Sequence, residues 1–108
     1  MKQLISNQRA FFNTNTTKEV TFRIAQLKKF ERILRENKER LDKAIYTDFQ
    51  KSEFDNYSNE LAIVFHDIKI ALQNIKQWSR KKVVRTNLIN FPAKSYIIPE
   101  PLGVTLVI

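Results

Sequence analysis

Along the first two thirds of the chain the apolar positions recur at helical spacing. Leu4, Ile5, Phe11 and Phe12, with Gln8 between them, form the stripe of a short amphipathic helix. The run Asn13-Thr14-Asn15-Thr16-Thr17 ends it, because these side chains compete for backbone hydrogen bonds and favour turns and caps. Beyond Lys18, the set Ile24, Leu27, Phe30, Leu34, Leu41, Ile45 and Phe49 keeps the same period, with charged residues filling the other faces. The polar stretch from Arg35 to Arg40 lacks the apolar residue due near position 37 or 38, which predicts a kink or short break there.

Ser52 opens the clearest element. Its hydroxyl can cap the first amides of a helix, and Asp55 places an acidic group beside the positive end of the helix dipole. Phe54, Tyr57, Leu61, Val64, Ile68, Ala71, Ile75 and Trp78 then alternate steps of three and four, predicting one helix from about Glu53 to Ser79. A coiled coil and an antiparallel hairpin packed on the preceding helix both use such a seam. The hairpin needs no second chain and is the expectation.

After Arg80-Lys81-Lys82 the period changes. Val83, Val84, Leu88 and Ile89 lie in a β-branched and apolar stretch, Pro92-Ala93 makes a turn, and Ser95 to Ile98 reads as a second strand. Pro99 and Pro101 bracket Glu100 and stop that strand from continuing in a ladder. Val104 to Ile108 is an almost unbroken apolar run, the pattern of a strand covered on both faces in a parallel sheet. The fold class is therefore mainly α. A helical segment of three or four helices spans 1–80, an extended β arm or hairpin 81–101, and the first strand of an α/β domain 102–108.

Composition narrows the chemistry. The 108 residues include no cysteine, which removes disulfides, thiolate metal sites and a cysteine nucleophile from this stretch. One glycine, Gly103, cannot build a Gly-rich phosphate loop. No apolar run approaches the roughly 18 residues of a membrane span, and the N-terminus has no signal-peptide core, so a cytoplasmic protein without a membrane partner is expected.

The formal charge of +8 raises a polyanionic partner. Lys76, Arg80, Lys81, Lys82 and Arg85 crowd around Trp78, as in a nucleic-acid reader, yet Trp78 also continues the helical seam and other basic residues interleave with acids, so nucleic acid is the less favoured partner. His66 is the single histidine and reads as a helix-surface residue; Asp48, Asp55, Glu60 and Asp67 read as caps and surface charges. Phe11, Phe12, Phe30 and Phe49 read as core.

Several runs carry a resemblance: Phe22-Arg23-Ile24-Ala25-Gln26-Leu27, Glu36-Asn37, Ala44 to Ser52, Tyr57-Ser58-Asn59-Glu60, Ile75-Lys76-Gln77-Trp78, and above all Phe91 to Ile108 with its Glu-Pro-Leu-Gly-Val element. Together they are similar to the N-terminal part of class 3-type aldehyde dehydrogenases. Gln50 departs from the glycine many relatives carry. The resemblance implies NAD(P)-dependent oxidation of aldehydes to carboxylates through a catalytic cysteine, a glutamate base and an asparagine oxyanion donor, all of which fall beyond Ile108 in the family's order. It also implies that the last strand opens a Rossmann-like cofactor domain. On this reading the chain is an N-terminal fragment, catalytically inactive, with no catalytic, cofactor-binding or metal residue of its own; NAD(P) belongs to a full-length parent.

By position in the family, Tyr57, Glu60 and Ile63 would face the substrate tunnel, and the extended arm would serve oligomerisation. Unpaired strand edges and an uncovered apolar run add a physical reason for self-association through Val83, Val84, Tyr96, Ile97, Ile98, Val104, Leu106, Val107 and Ile108. The alternative to the aldehyde dehydrogenase reading is a small basic helical module that binds nucleic acid or a protein partner.

Overall fold

The structure, a computed structural model, describes residues 2–106. Helix α1 (Lys2–Asn13) is followed by a 3-10 turn (Thr16–Lys18), then α2 (Val20–Glu36), α3 (Lys38–Phe49), α4 (Glu53–Asn56), a π-helical turn (Tyr57–Leu61) and α5 (Ala62–Trp78). Strands β1 (Lys82–Val84) and β2 (Ser95–Ile97) complete it. The chain forms two compact units, one from residues 1–23 with 75–108 and one from residues 24–74.

In the two-segment unit, the Asn/Thr run ends α1 as its composition predicts. Asn15 takes a left-handed conformation with φ of 63°, and the Thr14 hydroxyl donates to the Phe11 carbonyl at 2.7 Å. Arg23 ties this turn down. Its guanidinium donates to the carbonyls of Thr17 (2.9 Å) and Lys18 (2.6 Å) and to the Ser79 hydroxyl (3.1 Å), joining the start of the chain to the end of α5. Lys18 pairs with Glu100 at 2.8 Å, and Phe11 packs on Phe22 with ring centroids 5.9 Å apart.

The hairpin is a two-stranded antiparallel sheet in the register Lys82 to Ile97, Val83 to Tyr96 and Val84 to Ser95. Leu88 and Ile89, expected within the extended stretch, instead lie in a 3-10 turn (Leu88–Asn90). The Asn87 side chain accepts from the Ile89 amide there, giving the backbone a local alternative to a ladder.

In the 24–74 unit, the expected break falls on Asn37, whose amide and side chain both donate to the Ile33 carbonyl, at 3.0 and 2.9 Å. Helix α3 ends at Gln50 in a left-handed conformation with φ of 52°. Ser52 caps the next helix: its Oγ accepts from the Asp55 amide at 3.1 Å and donates to Asp55 Oδ2 at 2.7 Å.

Three expectations need correction. The helix from Glu53 is not uniformly α but widens at Tyr57–Leu61. Its seam buries Leu61, Ile68 and Ile75, whereas Phe54, Tyr57, Val64 and Trp78 stay exposed, as do Phe11, Phe30 and Phe49. Units of about 50 residues have too little volume to cover every apolar side chain. Residues 101–106 form no strand. A strand is defined by its hydrogen-bonded neighbour, and the ladder available among the described residues is taken up by β1 with β2. The last two residues of the expected strand, Val107 and Ile108, lie outside the described residues.

Candidate functional site

Tyr57 and Glu60 sit within the π-helical turn, and Ile63 follows in the first turn of α5. A π turn inserts one extra residue and re-aims the side chains around it, a feature frequent at functional sites. Tyr57 and Ile63 are exposed, 46% and 55% respectively. The Glu60 carboxylate is held by Lys51 Nζ at 2.7 Å, so its charge is paired at the surface. An aromatic ring, an aliphatic side chain and a neutralised carboxylate can line a wall against an apolar molecule. They supply no thiol.

A buried polar cluster beside this turn escaped the sequence reading. Asp42 of α3 is 5% exposed and Asn56, the residue before the π turn, is fully enclosed. The Asp42 carboxylate accepts from Lys38 Nζ at 2.5 Å and, through Oδ1, from Asn56 Nδ2. The Lys38 hydrogen bond holds the Asp42 carboxyl below its ordinary value and outweighs the desolvation that pushes the other way, with the Asn56 amide adding to it. The same bond raises the Lys38 ammonium. Asn56 Oδ1 has no donor. The i,i+4 spacing of Lys38 and Asp42 was visible in the sequence; the link to Asn56, fourteen residues on, was not. The low helix propensity of the run Asn56-Tyr57-Ser58-Asn59 is the one local sign of the widened turn.

An open cleft of about 600 Å³ next to Asp42 is lined by Glu39, Lys43, Tyr46, Ser52 and Glu53. His66 is exposed beside Arg35, which stacks over the Phe65 ring at 4.3 Å. Among the described residues no group of three His, Cys, Asp or Glu could hold a metal ion.

The residues expected to self-associate are split by the fold. Val83, Tyr96, Ile97 and Ile98 are exposed on or beside the hairpin and Val84 is half-buried. Val104 and Leu106 instead line a groove of about 510 Å³ with Leu4, Ile5, Gln8 and Arg9 of α1. Val107 and Ile108 lie outside the described residues. Lys81 Nζ lies 4.7 Å from the Tyr96 ring centroid, an interaction that occupies one member of the basic cluster. No described helix is long and apolar enough to cross a membrane.

No known family profile matches the sequence. Individual proteins do. The chain is 40% identical over all 108 residues to a 4,4'-diaponeurosporen-aldehyde dehydrogenase of Staphylococcus aureus, of which it covers 24%. It is 33% identical over 108 residues to aldehyde dehydrogenase family 3 member A2 of Macaca fascicularis, covering 22% of it. Against the chloroplastic family 3 member I1 of Arabidopsis thaliana, identity is 32% over 105 residues, and 19% of that protein is covered. A solved structure described as the substrate-bound state of Staphylococcus aureus AldH superposes with a TM-score of 0.87 at 40% identity, over 93% of this chain and 22% of that one. The chain thus spans a quarter or less of the length of these relatives.

Proposed function

Because the chain corresponds along its length to the N-terminal part of family 3 aldehyde dehydrogenases, we propose that it builds the helical layer and hairpin arm of an enzyme oxidising aldehydes to carboxylates with NAD(P). The carrying observation is the joint agreement of sequence and fold with one Staphylococcus aureus enzyme, 40% identity with a TM-score of 0.87. A basic binding module of separate ancestry has no such support.

These 108 residues contribute scaffold to that reaction. They contain no thiol to attack a carbonyl. Gly103 is their one glycine, too few for a Gly-rich phosphate loop. Tyr57, Glu60 and Ile63 serve as substrate-facing wall, with the π turn aiming them and the Asp42–Asn56 hydrogen bond fixing where that turn begins. The hairpin strands serve self-association through Val83, Tyr96, Ile97 and Ile98, and the protein works in the cytoplasm, a location that cell fractionation tests.

The decisive experiment is a chimera in which these residues replace the corresponding segment of the Staphylococcus aureus enzyme. Aldehyde-dependent NAD(P)H formation by the chimera, and none by the purified 108-residue chain, is the expected result. Turnover by the 108-residue chain itself would overturn the scaffold reading, and a folded but inactive chimera would refute the family role.

A further inference from the structure

We propose that the hairpin tip, residues 85–94, docks on an anionic lipid bilayer surface. Three large apolar side chains stand out from it: Leu88 is 83% exposed, Ile89 88% and Phe91 83%. They are held there by an ordered turn. The Phe91 amide donates to the Leu88 carbonyl at 3.1 Å, the Ala93 amide to Asn90 at 2.7 Å, and the Ser95 amide to Thr86 Oγ1 at 2.9 Å. A tip fixed by its own hydrogen bonds presents these side chains without a large ordering cost on binding.

Charge names the partner. Residues 1–23 and 75–108 hold ten Lys and Arg against two acids, so this unit carries the whole net charge of +8; residues 24–74 hold nine of each and are neutral. One of the two acids, Glu100, is already paired with Lys18. From Ile75 to Pro99 there is no acidic residue. Arg85 and Lys94 flank the tip where the chain leaves and rejoins the ladder, and Lys82 lies in β1 behind them.

An apolar tip with a basic collar matches the headgroup region of a bilayer, where apolar side chains enter the acyl boundary and Lys and Arg meet anionic lipid. Single-stranded nucleic acid is a poorer match, since Leu88 and Ile89 have no π face on which a base can stack. A second copy of the tip would bring the same positive charge against itself. This is peripheral docking, with no spanning helix required.

The test is flotation of the full chain with vesicles of phosphatidylcholine, with and without phosphatidylglycerol. Binding to the anionic vesicles, weakened by salt and absent on neutral ones, is expected. Exchanging Lys82, Arg85 and Lys94 for Ala should weaken it on the order of 100-fold, roughly fivefold per charge. Leu88→Asp with Ile89→Asp should abolish it while circular dichroism stays unchanged, both side chains being solvent-facing. No binding to anionic vesicles at low salt, equal binding to neutral ones, indifference to the tip variants in a folded chain, or binding to mixed-sequence RNA without vesicle binding would each overturn the proposal. None of these readouts depends on aldehyde oxidation.

Discussion

Replacing Asp42 by Ala puts the buried polar cluster under a direct test. Asn56 is 0% exposed, and its Nδ2 donates to Asp42 while its Oδ1 already lacks a donor. Asp42→Ala therefore leaves both ends of an enclosed amide without a partner. A buried polar group left unsatisfied costs about 1–3 kcal/mol, so a loss of about 2–3 kcal/mol is expected, with the lost carboxylate bond included. Urea unfolding followed by helical circular dichroism at neutral pH measures it.

The same cluster makes stability depend on pH. Asp42 has its folded pKa below the unfolded value, so its contribution is present above about pH 4 and is lost as pH falls through the lowered folded value. Lys38 is raised, so its contribution is present below about pH 10 and is lost as pH climbs through the raised value. The gap between wild type and Asp42→Ala should form a plateau between these limits and shrink outside them. Replacing Asp42 and Asn56 together by Leu should recover most of the loss, because removing both partners leaves nothing unsatisfied. A single Asp42→Ala variant within about 0.5 kcal/mol of wild type at neutral pH would refute the argument, that being the usual range of surface substitutions.

Two further substitutions probe the local structure. Gln50→Gly should stabilise the chain by about 0.5–1 kcal/mol in thermal or urea unfolding, because position 50 holds φ of 52°, which glycine adopts without the Cβ penalty. Arg23→Ala should destabilise by about 2–3 kcal/mol, since one guanidinium satisfies two carbonyls and the Ser79 hydroxyl, and it should raise amide exchange at residues 15–19 before residues 38–49 are affected.

Sequence periodicity was sufficient for the helices because their signals are local. The Asn/Thr run, the apolar gap near Asn37 and the Ser52 cap each act within a few residues, and each falls where the pattern puts it. The family resemblance was equally legible, since it rests on runs of contiguous residues such as Phe91 to Ile108 that the comparison with the Staphylococcus aureus enzyme matches across the chain.

Contacts between distant positions were beyond that reach. Arg23 meets Ser79 across 56 residues and Asp42 meets Asn56 across fourteen, and neither pair leaves a periodic trace. Which seam residues are buried, and that Tyr57–Leu61 widens, depended on packing that spacing does not encode. Charge shows the same division. In sequence the cluster from Lys76 to Arg85 is visible while most other basic residues interleave with acids; only when the first 23 residues come together with the last 34 does the full +8 gather in one unit, because charge acts through space and the chain folds back to bring its two basic ends together.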